Sequence, residues 1–600
     1  MRISRIQIEN FRNFHHFAVE LSNSIVIVGE NKIGKSNLLQ ALRLVLDPSL
    51  PDTARQLRDE DFWDGLPRPL SKEHRIIVSV DLADFEDDEN LKALLVDHLI
   101  SPEPMISRLT YVYHPLPTLE GNPSKESDYE FFIYGGGRPE NRIRYEVIRR
   151  IPLDVLPALR DAEADLANWR RSPLRPLLDS ATRQVDLAGL AAIAERISKV
   201  TTEVAEIDQI RALGSQLNSK LVEIIGSSHA VTTELGFAPT DPERLIRALR
   251  LFVDGRKRGI GESSLGSANL LYLTLKTLEL EQLVQENSRN HTFWAIEEPE
   301  AHLHPHLQRL VYRKFLHQRG QPPEAATTGP SWIQGTTVLL TTHSPHIVSV
   351  TPLRSLVMLR RKSSEQSTEG VSTANLELDE SDVADLERYI DVTRGELLFA
   401  KAVILVEGEA EKFVVPVLGK LLGVDFDQLG ITVCSVAGTN FTPYVKFLGP
   451  AGLDVPFAVL TDLDPQDDGT DLGSKRVSQL VLELLGPKKS NGLTEEQLLE
   501  LAPGKGVFLN EYTFEVDLFR CGRHKSMSKT LAELTSNGAA RKRAETWLSN
   551  SKDFDPEQFL QDIEAIGKAR FAQRLATRLK GTPCPTCIKD AIQYVCNALR

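Results

Sequence analysis

The chain has 600 residues, 41% hydrophobic and 26% charged, with a formal net charge of −13. At about 150 residues per domain that length suggests roughly four domains or two large ones, of ordinary globular composition and with room for several cores. Five cysteines are too few for a disulfide framework, Met1–Phe17 lacks the apolar stretch of a signal peptide, and no run of about 18 apolar residues exists; a cytoplasmic protein without a membrane span is expected. The acidic balance excludes a uniformly basic nucleic-acid binder but leaves room for a local patch or a metal-mediated contact.

Ile3, Ile6 and Ile8 among polar residues, then the apolar run Ser24–Val28, predict strands joined by a hairpin. A glycine-rich turn and a helix over Asn37–Leu46 follow, and Arg75–Leu82 predicts another strand. From Leu153 to Ala248 the chain is rich in Ala, Leu, Glu and Arg at helical spacing, a mostly helical insert closed by the glycine-punctuated Asp254–Gly261. Strands return at Thr292–Ile296 and Thr337–Thr341, and the polar stretch Arg360–Thr373 reads as an exposed connector. Beyond it, Ala402–Val406, Ile431–Val436 and Phe457–Thr461 are short apolar strands separated by helical patterns, which predicts a second, parallel α/β sheet. The expected division is 1–152 and 249–375 for one α/β domain, 153–248 for its insert and 376–600 for the second domain.

Gly29-Glu-Asn-Lys-Ile-Gly-Lys-Ser36 matches G-x-x-x-x-G-K-[ST] between a strand and a helix. In such a loop the backbone around Asn31 and Gly34 wraps phosphates, Lys35 reaches the outer ones, Ser36 can ligate Mg²⁺, and the helix N-terminus adds its dipole. The apolar strand Phe293–Ile296 ends in Glu297 and Glu298: Glu297 is expected in the metal shell and Glu298 beside the attacking water. The strand Val338–Thr342 ends at His343, a candidate sensor of the terminal phosphate.

This order resembles the ABC-type ATPases of the RecF/SMC group, with Ile8–Phe14 as their opening strand and Pro299–Pro305 as the D-loop. Glu297 stands where the group usually has Asp, and the signature would be the degenerate Ser263–Asn269. The resemblance implies a homodimer or higher oligomer, in which one protomer's signature completes the other's ATP site.

Glu407 ends the strand Ala402–Val406, Glu411 falls one turn into the next helix, and Asp462 and Asp464 follow Phe457–Thr461. An i, i+2 spacing sends both aspartates to one side if strand geometry continues. Carboxylates gathered at the ends of parallel strands need cations, as in Mg²⁺ or Mn²⁺ sites for phosphoryl chemistry. With Gly408 and the turn Ala437–Asn440, the spacing resembles a Toprim domain.

An ABC-type ATPase followed by a Toprim domain resembles the OLD (overcoming lysogenization defect) family of ATP-dependent nucleases, and Leu156–Asp161 strengthens the likeness. Tyr512–Leu518 looks like the family's late acidic strand, which implies that Glu515 serves a second metal; Gly567–Gln573 looks like its terminal basic motif, which implies that Lys568 stabilises transition-state charge. The implied activity is ATP-regulated endonucleolytic cleavage of DNA with two metal ions. Glu407, Asp462 and Asp464 would hold one ion, and Glu411 and Glu515 would help hold the other. The late motifs look like those of the class that acts beside a UvrD-like helicase in Gabija antiphage systems. The alternatives are a non-nucleolytic ATPase clamp that loads a partner on DNA and, ranked last, a Toprim topoisomerase or primase. The intact acids Glu407, Asp462 and Asp464 favour the nuclease. Cys584 and Cys587 read as thiols rather than a zinc knuckle, and His302, His304 and His306 as phosphate or interface contacts. The short basic runs Arg170–Arg171 and Arg256–Arg258 read as solvated faces.

Overall fold

A computed structural model describes residues 1–599 apart from 159–160, 169, 184–186, 226–234, 236–240, 254, 256–257, 263, 302, 317–334, 363–365, 393, 451, 467–468, 487–488 and 490–491. Parts of Leu156–Asp161, of the signature and of Arg256–Arg258, as well as His302, therefore lie outside the described residues.

The first half opens with β1 (Arg2–Phe11), β2 (Phe14–Glu20), β3 (Ile25–Gly29), β4 (Ile76–Ala83), β5 (Leu99–Pro102), β6 (Met105–Pro115) and β7 (Tyr129–Gly135). All but β3 form one antiparallel sheet, ordered β2-β1-β4-β6-β5 with β7 also on β6. A second sheet takes β3 and the later β8 (Leu153–Leu156), β11 (Thr292–Glu297), β12 (Thr336–Thr341), β13 (Leu356–Lys362) and β14 (Ser367–Ser372), after the short pair β9 (Phe252–Val253) and β10 (Arg258–Gly259). Its order is β14-β13-β3-β12-β11-β8, parallel except for β14. Period-2 alternation places Val26 and Val28 in one core and Ile25 and Ile27 in the other, so β3 is apolar on both faces, as a central parallel strand must be.

Two expectations change here. The segment expected to be helical from Leu153 opens with β8, which pairs with β11 as the edge of the nucleotide sheet; helices begin only at Ala162. Four residues, three of them apolar, are too few to tell strand from helix by periodicity. Arg360–Thr373 is not an exposed connector either. Arg360–Lys362 pairs antiparallel with Ser367–Glu369, and Ser367 and Thr368 are buried. Polar residues in this hairpin are held by partners the sequence does not display: Arg360 meets Glu369 and Asp454, and Thr368 meets Asn13.

The second half carries β15 (Ala402–Val406), β16 (Ile431–Ser435), β17 (Phe457–Thr461) and β18 (Val507–Leu509), all parallel in the order β16-β15-β17-β18. Val403 and Leu405 pack into the same continuous core as Val26, Val28 and Trp294, while Ala402, Ile404 and Val406 face the C-terminal helices. The protein is thus an α/β P-loop ATPase unit with helical segments inserted, followed by a Toprim-type parallel α/β unit. Among the described residues no helix is long and apolar enough to cross a membrane.

Candidate nucleotide site and metal centre

Parallel strands gather the first site. β3, β12 and β11 are neighbours, and their C-terminal ends deliver the loop 29–36, His343 and Glu297–Glu298 to one edge, where α/β sheets bind ligands. Gly34 has φ 112°, and a Cβ there would lie 2.1 Å from the Asn13 amide nitrogen. That closeness is structural. Asn13 Nδ2 donates to Ile33 O at 2.9 Å and to Thr368 Oγ1 at 2.7 Å, so the β1–β2 turn and β14 clamp the loop from behind. Asn31 and Ser36 are exposed on the open side.

Lys35 is buried, and its Nζ donates to Gly29 O at 2.9 Å and Glu30 O at 3.0 Å. Burial lowers its pKa to about 8, against the pull of Glu298 and Glu300. An ammonium held on carbonyls beneath an exposed loop is suited to exchange them for phosphate oxygens. Burial raises Glu297, partly offset by the Ala158 N–H, while neighbouring Glu298 raises it further and the Ser36 hydroxyl opposes. This contact brings together the two residues expected to share Mg²⁺. Glu298 is half exposed, at φ 41°, with Oε1 3.9 Å from His343 Nε2. Burial and Lys35 lower the His343 pKa. The sequence reading missed Glu300. Its partly buried carboxylate accepts from His343 N at 2.7 Å and Thr342 Oγ1 at 2.9 Å, fixing the strand end that presents the imidazole. The D-loop stretch Pro299–Pro305 was the available signal.

The second site lies at the ends of β15 and β17. Glu407 Oε1 accepts from Thr461 Oγ1 at 2.6 Å, Asp462 N at 2.9 Å and Arg476 at 2.8 Å. Asp462 is 8% exposed, and its Oδ1 accepts from Asn510 Nδ2 at 2.7 Å and Phe514 N at 2.9 Å. Asp464 Oδ2 accepts from Arg476 at 2.9 Å. In each carboxylate the protein's donors converge on one oxygen, which leaves the other available to a cation. The expected glycine turn supports Glu407 directly, with Gly438 N donating to its carbonyl at 3.0 Å. Glu411 folds back over Gly408, where a Cβ would lie 3.3 Å from its Oε2.

Two local expectations are corrected. Strand geometry does not continue to Asp464: β17 stops at Thr461 and Asp464 has φ 50°, so Arg476 rather than period 2 orients it. Tyr512–Leu518 is not a strand, because Phe514–Leu518 forms a short helix whose first N–H is capped by Asp462. That helix still carries Glu515 into the acid cluster, buried to 5% exposure. Lys568 opens the helix Lys568–Ala576 on the same side.

The electrostatics are those of a crowded acid cluster. Burial, then Glu407 and Glu515, push Asp462 well above the usual carboxylate range. Burial, with Glu515 and Glu407, raises Glu411 to about 7. Burial raises Glu515 against the opposing Lys568. Burial works against the Lys568 ammonium, but Glu515, Glu564, Asp462 and Glu411 outweigh it and raise its pKa. Oxygen donors such as Glu411, Asp462 and Glu515, each pushed toward protonation when no cation is bound, fit hard divalent cations. Arg476 and Asn510 had no local signal in the sequence. Cys587 Sγ lies against Asn510 Oδ1, which gives one of the CxxC thiols a place behind this site.

A family model described as an AAA ATPase domain matches residues 1–137 and 173–348, and one described as the Toprim domain of overcoming lysogenization defect-like proteins matches residues 398–464. Endonuclease GajA of Bacillus cereus (strain VD045) is 23% identical over 84% of this chain and 80% of its own length. The OLD nuclease of Thermus scotoductus is 24% identical over 79% of this chain and 84% of its own. The solved C-terminal region of the Burkholderia pseudomallei OLD protein is 38% identical, over 34% of this chain and all of that one, with a TM-score of 0.32. The chain therefore belongs to the AAA ATPase domain family, and it joins that domain to a Toprim domain of the overcoming lysogenization defect-like kind.

Proposed function

We propose that this protein is a nucleotide-regulated, metal-dependent DNA endonuclease. The observation that carries the reading is the convergence of Glu407, Glu411, Asp462 and Glu515 on one another and on Lys568, in a cluster whose electrostatics call for divalent cations. Relatives named as endonuclease and OLD nuclease support the same reading. Glu407, Asp462 and Asp464 would hold one Mg²⁺ or Mn²⁺, and Glu411 and Glu515 would help hold the other. When bound, such ions supply an activated water and stabilise the leaving oxygen of a phosphodiester. Lys568 keeps its ammonium at neutral pH through its acidic neighbours and neutralises charge that builds on the cleaved phosphate.

In the ATPase unit, Asn31, Gly34, Lys35 and Ser36 would cradle the phosphates of ATP, and Glu297 with Ser36 would hold its Mg²⁺. Glu298 orients water and His343 contacts the terminal phosphate. Pairing of two chains is supported by the exposed apolar residues Ile193, Ile197, Val200 and Val204, which recur at helical spacing along Leu187–Ala205. The biological setting we propose is cytoplasmic antiphage defence, with a UvrD-like helicase as a candidate partner.

A plasmid-nicking assay tests this function. Supercoiled DNA is incubated with the protein and Mg²⁺ or Mn²⁺, with and without ATP, beside Asp462→Ala and Lys35→Ala. Nicking that needs metal and disappears in Asp462→Ala is expected, and the ATP and Lys35→Ala lanes give the sign of nucleotide control. Intact plasmid in every lane, with ATP hydrolysis retained, contradicts it.

A further inference from the structure

Five carboxylates, Glu407, Glu411, Asp462, Asp464 and Glu515, brought near one another need positive charge nearby even before a divalent ion arrives. Lys568 supplies it on the Glu515 side. On the Glu407 side it comes from Arg476, which belongs to none of the motifs. Arg476 sits near the start of the helix Gly473–Leu485. That helix end is pressed onto the turn after β17 that carries the aspartates: Gly473 N donates to Leu463 O at 2.8 Å, and a Cβ on Gly473 would lie 2.3 Å from Asp462 O.

From this seat one guanidinium nitrogen donates to Glu407 Oε1 at 2.8 Å and Asp462 O at 3.3 Å, and also bonds Thr461 Oγ1. Its second nitrogen donates to Asp464 Oδ2 at 2.9 Å. The side chain is 13% exposed. A planar, rigid fork is the group that can brace two acids from different strands at once, and a lysine cannot reproduce it.

We propose that Arg476 is a positioning residue of the metal centre, the resident counter-cation that spans Glu407 and Asp464 and whose charge opposes a divalent ion entering beside them. The proposal rests on the metal reading above. It makes the metal-free site orderly at a cost in metal affinity, so removing the guanidinium tightens metal binding while loosening the empty protein.

The test is Mn²⁺ titration by calorimetry together with thermal unfolding, on the full chain carrying Arg476→Gln, Arg476→Lys or Asp462→Ala, beside wild type. Arg476→Gln is expected to lower the metal-free Tm by at least about 2 °C and to bind Mn²⁺ about tenfold more tightly. Arg476→Lys, which keeps the charge without the fork, falls between Gln and wild type in Mn²⁺ affinity, and it decides the matter if Arg476→Gln does not fold. Mn²⁺ binding that is lost in Asp462→Ala but unchanged or weaker in the Arg476 variants overturns the proposal alone, and points to a role for Arg476 on DNA phosphate. Mn²⁺ binding to wild type that Asp462→Ala leaves intact overturns the metal reading, and this proposal with it.

Discussion

Asn510 donates its side-chain amide to Asp462 Oδ1 at 2.7 Å, from a position 4% exposed at the end of β18. Cys587 lies against the opposite end of the same amide. A thiol donor on Oδ1 leaves the NH₂ group facing the carboxylate, so the pair sets which way the amide points. Asp462 is thereby held with one oxygen satisfied by the protein and the other toward the acid cluster.

Removing that support should slow cleavage without unfolding the domain. Asn510→Ala is expected to reduce plasmid nicking about tenfold or more, in the range seen when partners of metal ligands are lost. Asn510→Asp should be worse, since it adds a like charge to a buried acid cluster. Cys587→Ser, which keeps a donor, should stay near wild type. Equal nicking rates in Asn510→Ala and wild type would show that Asp462 needs no such anchor.

Glu300 plays the corresponding part in the ATPase unit, through the His343 N–H and the Thr342 hydroxyl. Glu300→Ala should lower ATP hydrolysis about tenfold while a fluorescent ATP analogue still binds. Lys35→Ala should lose the binding itself. If Glu300→Ala loses binding and hydrolysis in equal measure, its role is in folding the loop rather than in presenting His343.

Nucleotide affinity should depend on pH through Lys35, whose pKa burial lowers to about 8. Phosphates favour the ammonium, so above pH 8 binding requires proton uptake, and affinity should fall toward about tenfold per pH unit. For the nucleotide-free protein the sign reverses. The unfolded chain keeps this proton to its ordinary value of 10.5, so between 8 and 10.5 the unfolded state binds more protons and this group's contribution to stability rises with pH. A flat affinity profile from pH 7 to 9.5 would contradict the burial of Lys35.

Gly473→Ala tests how tightly the Arg476 helix is docked. Its Cβ would meet Asp462 O at 2.3 Å and Leu463 Cα at 2.7 Å, both backbone atoms. A destabilisation of about 1–3 kcal/mol with loss of nicking is expected in thermal unfolding and nicking assays on the same preparation. Wild-type behaviour in both would mean the helix can move away at no cost.

What the sequence displayed, and what it hid, divide along a physical line. The strands ending at Gly29, Glu297, Val406 and Thr461 announce themselves because buried parallel strands are continuous apolar runs. The residues at their ends could therefore be named in advance. Arg476 and Asn510 act through contacts made only in the fold, such as that between Arg476 and Glu407, 69 positions apart, and a solitary polar residue carries no period. The turn at Asp464 and the helix beginning at Phe514 were misread for the same reason. Each is set by a distant partner, Arg476 in one case and Asp462 in the other.

The proposed divalent-metal centre of the Toprim acids can be observed directly, because anomalous diffraction locates such ions. Crystals of the full chain grown with ATP analogue and Mn²⁺ should show an ion at the phosphate loop as internal reference. The account predicts two further peaks, one bounded by Glu407, Asp462 and Asp464 and one by Glu411 and Glu515. A map with the reference peak present and no density among these five carboxylates would contradict it.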